Sequence, residues 1–258
     1  MEIGLLILGV LAGVMSGLFG IGGGIVMVPM LVAVFGMDLL NANATSLAAM
    51  LLPVGIFGVI NYYKAGMINV RNALWISAGL FGGSFIGAEL AVSVNVGLLS
   101  KLYAAILFYV AIGYFDLSAR FRKNKPQNIV TQNDQPAPNE FWKFILLGIG
   151  AGVFAGLFGK GGGLVIVPAL VKLFKYDAKA ASATSLAALQ LPVGLPSIIV
   201  YANDGHLNIS NAAIIAGGIL IGVFAGSKLA LNLPTSIFKK VYAVFLSGVA
   251  IYMVIKYI

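Results

Sequence analysis

The 258-residue chain is 60% hydrophobic and only 9% charged, with a mean hydropathy of +1.01, whereas soluble domains carry about a quarter charged residues. That composition excludes a soluble domain and describes an integral membrane protein, with too little aqueous mass for a separate catalytic unit. The absence of cysteine and the single histidine remove disulfides, thiolate nucleophiles and most zinc or redox sites, so no cofactor and no metal is expected.

Apolar segments run over 3–19, 24–36, 42–62, 71–92 and 98–117, a polar stretch covers 118–140, and five more segments follow over 141–158, 163–175, 181–202, 210–231 and 236–257. The first lacks the basic flank of a signal peptide and has a counterpart in "FILLGIGAGVFAGLFG" of the second half, so it belongs to the fold. A constant offset of 139 aligns residues 17–91 with 156–230 without a gap. Gly17, Gly20, Pro29, Pro53, Gly66, Gly83 and Gly87 each meet their own type across that offset. Glycine and proline in register mean duplicated backbone geometry, because these residues have unusual dihedral freedom or restriction. The expected organisation is a first repeat over 1–117, a flexible cytoplasmic linker over 118–140 and a second repeat over 141–258.

The second segment of each half is short: its 13 or so residues span about 20 Å at 1.5 Å per residue, against a hydrocarbon core of about 30 Å. Segments one and two therefore read as a hairpin whose glycine-rich tip stops inside the membrane. Counting that hairpin as no crossing or as two leaves an odd number per half. The expected fold is an all-α polytopic membrane protein of two inverted repeats, five hydrophobic segments each, with Gly-rich hairpins meeting near the midplane. Positive charge supports the inversion. Thirteen of the sixteen Lys and Arg residues collect on one proposed side, Lys101 and Lys256 lie on the other, and Lys160 stands apart. The asymmetry flips between equivalent loops: Lys64 and Arg71 match Asn203 and Ser210, whereas Lys172, Lys175 and Lys179 match Ala33, Gly36 and Leu40. The basic side, linker included, is placed in the cytoplasm and both termini outside. The net charge of +8 is thereby read as orientation in a lipid bilayer, with no nucleic-acid partner.

Two paired motifs carry candidate chemistry. "LFGIGGGIVMVP" at 18–29 is answered by "LFGKGGGLVIVP" at 157–168. Gly20, Gly22, Gly23 and Gly24, with Gly159, Gly161, Gly162 and Gly163, would present backbone N–H groups to an anion, and Lys160 would add a full positive charge. The plainer alternative is that the glycines permit a tight turn or close helix packing and that Lys160 snorkels to an interface. "NANATSLAA" at 41–49 is answered by "KAASATSLAA" at 179–188. Here Asn43, Thr45, Ser46, Ser182, Thr184 and Ser185 are either helix caps or, brought to the hairpin tips, hydrogen-bond donors to an oxyanion. Gln190, where the first copy has Leu51, is a site residue or an interhelical hydrogen-bonding group. Pro53 and Pro192 are expected to kink helices, and His206 to lie in a solvated external turn.

The doubled "GLFGxGGGxVxVP", the "ATSLAA" that follows it and the "GxxxGxxxG" of 79–87 and 218–226 resemble the sulfite exporter TauE/SafE family of bacterial and archaeal membrane permeases, also called TSUP. The resemblance implies a small sulfur-containing anionic substrate, such as sulfite or an organosulfonate, commonly moved outward across the cytoplasmic membrane. By position it points to the tip glycines and to Thr45, Ser46, Thr184 and Ser185. No Asp or Glu falls in the middle of a segment, so obligatory proton coupling is not expected. Expelling an anion from an inside-negative cell already gains about 2.3 kcal/mol per charge per 100 mV. The reading is an alternating-access permease. An anion channel and a membrane-embedded enzyme are the alternatives, the latter without paired carboxylates or a nucleophile near a histidine.

Overall fold

The computed structural model describes residues 2–99 except 21, 52, 54 and 96, residue 102, residues 141–234 except 160 and 161, and residue 237. The linker and nearly all of the fifth and tenth apolar segments lie outside the described residues. Those described form helices and no strand.

In the first half the helices are α1 (Glu2–Phe19), α2 (Gly24–Ala33), α3 (Leu39–Ala49), α4 (Ile56–Lys64) and α5 (Val70–Ser93). In the second they are α6 (Phe141–Phe158), α7 (Gly163–Lys172), α8 (Ala178–Ala188), α9 (Leu195–Asn203) and α10 (Ile209–Asn232). Helices α1, α5, α6 and α10 are each long and apolar enough to cross a bilayer. By contrast α2 and α7 have 10 residues each, about 15 Å. The third and eighth apolar segments, expected to be kinked helices, are broken into two. Proline lacks an N–H and clashes with the carbonyl four residues back, and Pro53 and Pro192 are each followed two residues later by a glycine, Gly55 and Gly194. Helix α3 therefore ends at Ala49 and α8 at Ala188.

The long helices pair across the halves, α1 with α10 and α5 with α6, through facing small-residue stripes. A Cβ added to Gly9, Gly13 or Gly17 of α1 would lie 2.3–2.6 Å from the carbonyl oxygens of Ile215, Ile219 or Val223 on α10. The same is true of Gly148, Gly152 and Gly156 on α6, 2.2–2.5 Å from the carbonyls of Ile76, Leu80 and Ser84 on α5. Every contact in the second set is the first shifted by 139. Such backbone-to-backbone approach substitutes for the hydrophobic drive that lipid cannot supply. Outward, Leu6, Ile7, Leu11, Phe81, Phe85, Ile86, Ile221 and Phe224 are exposed. This apolar exterior is the surface a multi-pass membrane protein turns to acyl chains.

Candidate functional site

The two hairpin tips are the first ingredient. Residues 20–23 join α1 to α2, and Gly20, Gly22 and Gly23 take φ of +65°, +79° and +73°, the left-handed region that costs glycine nothing. In the second tip Gly159 has φ +63° while Gly162 sits at −56°. Ile21, Lys160 and Gly161 lie outside the described residues. Not every tip N–H is open to a ligand: Gly20 N donates to Ser16 O at 2.8 Å and Gly24 N to Gly22 O at 2.9 Å. Gly24 and Gly163 are already the first residues of α2 and α7.

The paired polar motif is the second ingredient, and its residues do not cap. The N-cap positions belong to Asp38 and Asp177, the latter accepting Lys179 N at 2.9 Å. Asn43, Thr45 and Ser46 lie inside α3 and Ser182, Thr184 and Ser185 inside α8. A helix interior needs no side-chain cap, so the capping alternative falls. All six are 0% exposed.

Each tip meets the polar helix of the opposite half. A Cβ on Gly20 would stand 2.0 Å from Ser182 O, and one on Gly159 would stand 2.3 Å from Asn43 Cα. Around the first tip, Ser185 Oγ donates to Gly20 O at 2.7 Å. Around the second, Asn43 Nδ2 donates to Leu157 O at 3.1 Å. Thr184 Oγ1 accepts the backbone N–H of Asn69 at 3.4 Å. Among the described residues, Asn43 Oδ1, Thr45 Oγ1, Ser46 Oγ and Ser182 Oγ are buried without a hydrogen-bond partner. An orphaned buried polar group costs about 1–3 kcal/mol, so these four atoms, on two helices equivalent under the 139-residue shift, leave hydrogen-bonding capacity unspent.

Gln190 lies one residue beyond the C-cap of α8. Its Nε2 donates to Leu186 O at 2.9 Å, its Oε1 is buried and unpartnered, and the amide packs on Gly55, the glycine of the other half's break. A cavity of about 30 Å³ lies beside these elements, lined by Leu47, Met50, Leu80, Ser84, Gly162, Leu189, Val193 and neighbours. Met50 and Leu189 are equivalents under the 139-residue shift, so the cavity lies where the halves face one another. At about 10–15 Å³ per water it is a small void with a mostly apolar lining.

Several functional groups were missed by sequence reading. Tyr62 donates to Gly17 O at 2.8 Å and its equivalent Tyr201 to Gly156 O at 2.7 Å, each fastening the end of the hairpin helix that carries the tip. Their shared register was the available signal. Ser77 donates to Ala188 O and Ser84 to Val193 O, both at 2.7 Å, satisfying carbonyls freed where α8 breaks. No periodicity reports such a pairing. His206 is half-buried rather than solvated: Nδ1 lies 2.7 Å from Asn41 Oδ1 and Nε2 3.0 Å from Asp204 Oδ2. Lys179, counted with the loop charges, is buried with Nζ donating to Leu231 O at 3.2 Å, near the end of α10. That placement favours a cation at a helix C-terminus. No cluster of metal-ligating side chains occurs among the described residues.

Residues 5–253 match the family described as sulfite exporter TauE/SafE. A probable membrane transporter protein of Methanocaldococcus jannaschii is 31% identical over 95% of this chain and 91% of its own. The probable membrane transporter protein YdhB of Bacillus subtilis is 27% identical over 92% of this chain and 93% of its own. No solved structure gives a significant match. With nearly its whole length matched, with four long apolar helices and with relatives named as membrane transporters, the chain belongs to the sulfite exporter TauE/SafE family.

Proposed function

We propose that the protein is a permease of the cytoplasmic membrane that moves a small sulfur-containing oxyanion, outward, by alternating access between two inverted repeats. The observation that carries this reading is the set of buried, unpartnered side-chain oxygens on α3 and α8, packed against the glycine tips of the opposite half. Hydroxyls desolvated in this way can donate to an oxyanion while adding no charge of their own. The family description, sulfite exporter, supports the sulfur-anion class. The proposed substrate set is the tip glycines together with Asn43, Thr45, Ser46, Ser182, Thr184, Ser185, Gln190 and Lys160.

The division into repeats over 1–117 and 141–258, joined by a cytoplasmic linker, is part of the proposal. Its supports are the repeated cross-half contacts and the charge flip between equivalent loops. In an inverted pair, rocking one repeat against the other exposes a central site to either side alternately. Saturable, trans-stimulated flux of sulfite in proteoliposomes is the expected behaviour; non-saturable flux without trans-stimulation identifies a channel instead. Lys160→Met keeps the stem and volume but removes the charge. It should weaken anion affinity in detergent about 10-fold or more, given roughly 1.5–3 kcal/mol for a charge-assisted hydrogen bond. An unchanged dissociation constant with intact protein removes Lys160 from the site.

A further inference from the structure

Where α4 meets α10, one seam can be followed rung by rung. Phe57 and Phe224 meet edge to face with ring centroids 6.2 Å apart, and one turn on Asn61 Nδ2 donates to Ser227 Oγ at 2.9 Å. Phe57, Asn61 and Lys64 are spaced four and three apart, so they lie on one stripe of α4, and Lys64 is the last residue of that helix. On α10, Lys228 turns back by one turn, its Nζ 4.2 Å from the centroid of the Phe224 ring. The two rungs ascend in sequence on both helices, so α4 and α10 run side by side in one direction. Counting on from the Asn61–Ser227 rung at 1.5 Å per residue brings Lys64 to within about 3 Å of the level of Lys228. This face is open: Phe57 and Phe224 are 48% and 42% exposed, and both lysines are exposed.

The equivalent seam shows what packing alone requires. Helix α9 lies on α5 as α4 lies on α10, yet Asn203 and Glu89 stand there for Lys64 and Lys228, and Val200 and Ala88 for the Asn61–Ser227 rung. The helix contact therefore needs neither cation. Depth adds a second reason to seek a partner for them. Lys228 lies four residues short of the end of α10, about 6 Å, in a helix of 24 residues that covers about 36 Å against a hydrocarbon core of about 30 Å. Helical side chains lean toward the N-terminus, and this one does, so its ammonium stays over an aromatic face at the hydrocarbon edge instead of reaching out to water. Among the described residues neither lysine has a carboxylate partner. In a bilayer the anion present at that level is the headgroup phosphate.

We propose that the α4–α10 seam binds an anionic phospholipid of the phosphatidylglycerol kind, its phosphate between Lys64 and Lys228 and an acyl chain along Phe57 and Phe224. A zwitterionic headgroup brings its own cation to the same two lysines and is disfavoured. On the orientation proposed above the lipid belongs to the cytoplasmic leaflet. The proposal needs only a membrane location and stands or falls apart from the oxyanion reading.

Native mass spectrometry of the full chain, released from detergent with equimolar phosphatidylglycerol and phosphatidylcholine of the same acyl chains, tests it. Wild type should retain phosphatidylglycerol by about 10-fold or more over phosphatidylcholine, two basic side chains contributing several-fold each. Lys64→Gln with Lys228→Gln should bring that ratio within about 2-fold, and the corresponding pair of arginines should keep it. Lys172→Gln with Lys175→Gln removes the same charge from exposed positions elsewhere and should leave the preference intact. All four side chains are exposed, so each variant should stay folded and monodisperse. No preference in wild type, an undiminished one in the Lys64 and Lys228 glutamine pair, or an equal loss in the Lys172 and Lys175 pair overturns the proposal.

Discussion

Gly20 and Gly159 show how a single missing Cβ holds a site together. Each has a left-handed φ and each abuts the main chain of the opposite half's polar helix, so a methyl group there would meet both strain and a clash. Gly36 has φ +66° but nothing within 4 Å of its Cβ position, and its equivalent Lys175 tolerates φ +57°. Backbone strain alone is therefore bearable in this fold. Strain of about 1–3 kcal/mol plus a similar overpacking cost predicts that Gly20→Ala and Gly159→Ala each lose about 2–6 kcal/mol. Thermal unfolding in detergent should show both well below wild type, with Gly36→Ala lying between, lowered by the backbone strain alone. Equal midpoints for all three would mean that the tips do not seat on α3 and α8 as described. The tip glycines were legible in the sequence because they repeat. Their partners were not, since nothing local connects Gly20 to Ser182 or Gly159 to Asn43.

Among the elements, the long helix pairs bear the cross-half packing. On α5, Gly79, Gly83 and Gly87 face α6, and a Cβ at any of them would lie 2.2 Å from a carbonyl oxygen of Ile145, Ile149 or Val153. Gly82, one residue away, faces open space. Gly83→Leu should therefore separate α5 from α6 and cost about 3 kcal/mol, while Gly82→Leu should be accepted as one more lipid-facing side chain. Yield and monodispersity in detergent, compared between the two variants, make the measurement; like behaviour of both would contradict the packing. The "GxxxGxxxG" spacing marked one member of each pair in advance. That α1 and α6 supply the facing stripes emerged only from the assembled helices. The α3–α4 and α8–α9 breaks were half legible: Pro53 and Pro192 signalled a disturbance. A full break is sustained, in the second half, by Ser77 and Ser84 bonding the freed carbonyls.

For the whole molecule, the pairing of α1 with α10 and of α5 with α6 ties each half to the other, and neither half buries its long helices alone. The inverted arrangement proposed for these halves has a direct test in side-specific labelling. A cysteine at Asn133 or at Lys175 should react only from the cytoplasm, and one at Asp204 only from outside. Gly36, the equivalent of Lys175, should react from the side opposite to Lys175. Both positions are exposed on the protein, so lack of access cannot mimic the result. Labelling of Gly36 and Lys175 from the same side rules out inversion, whatever the contacts between halves.

Membrane class, the doubled architecture and the two paired motifs were determined by the sequence alone, because hydrophobic composition, proline and glycine act through short-range physics that a linear pattern records. Which half's tip meets which half's polar helix was decided by tertiary structure. So was the placement of Asn43, Ser46 and Ser182 within helix interiors rather than at caps, with hydrogen-bonding capacity left over. Those outcomes depend on contacts between residues more than a hundred positions apart, such as Asn43 to Leu157 and Ser185 to Gly20. Distance in sequence carries no record of such pairs; only the packing of one repeat against the other brings a donor within 3 Å or so of its acceptor and leaves a neighbour without one.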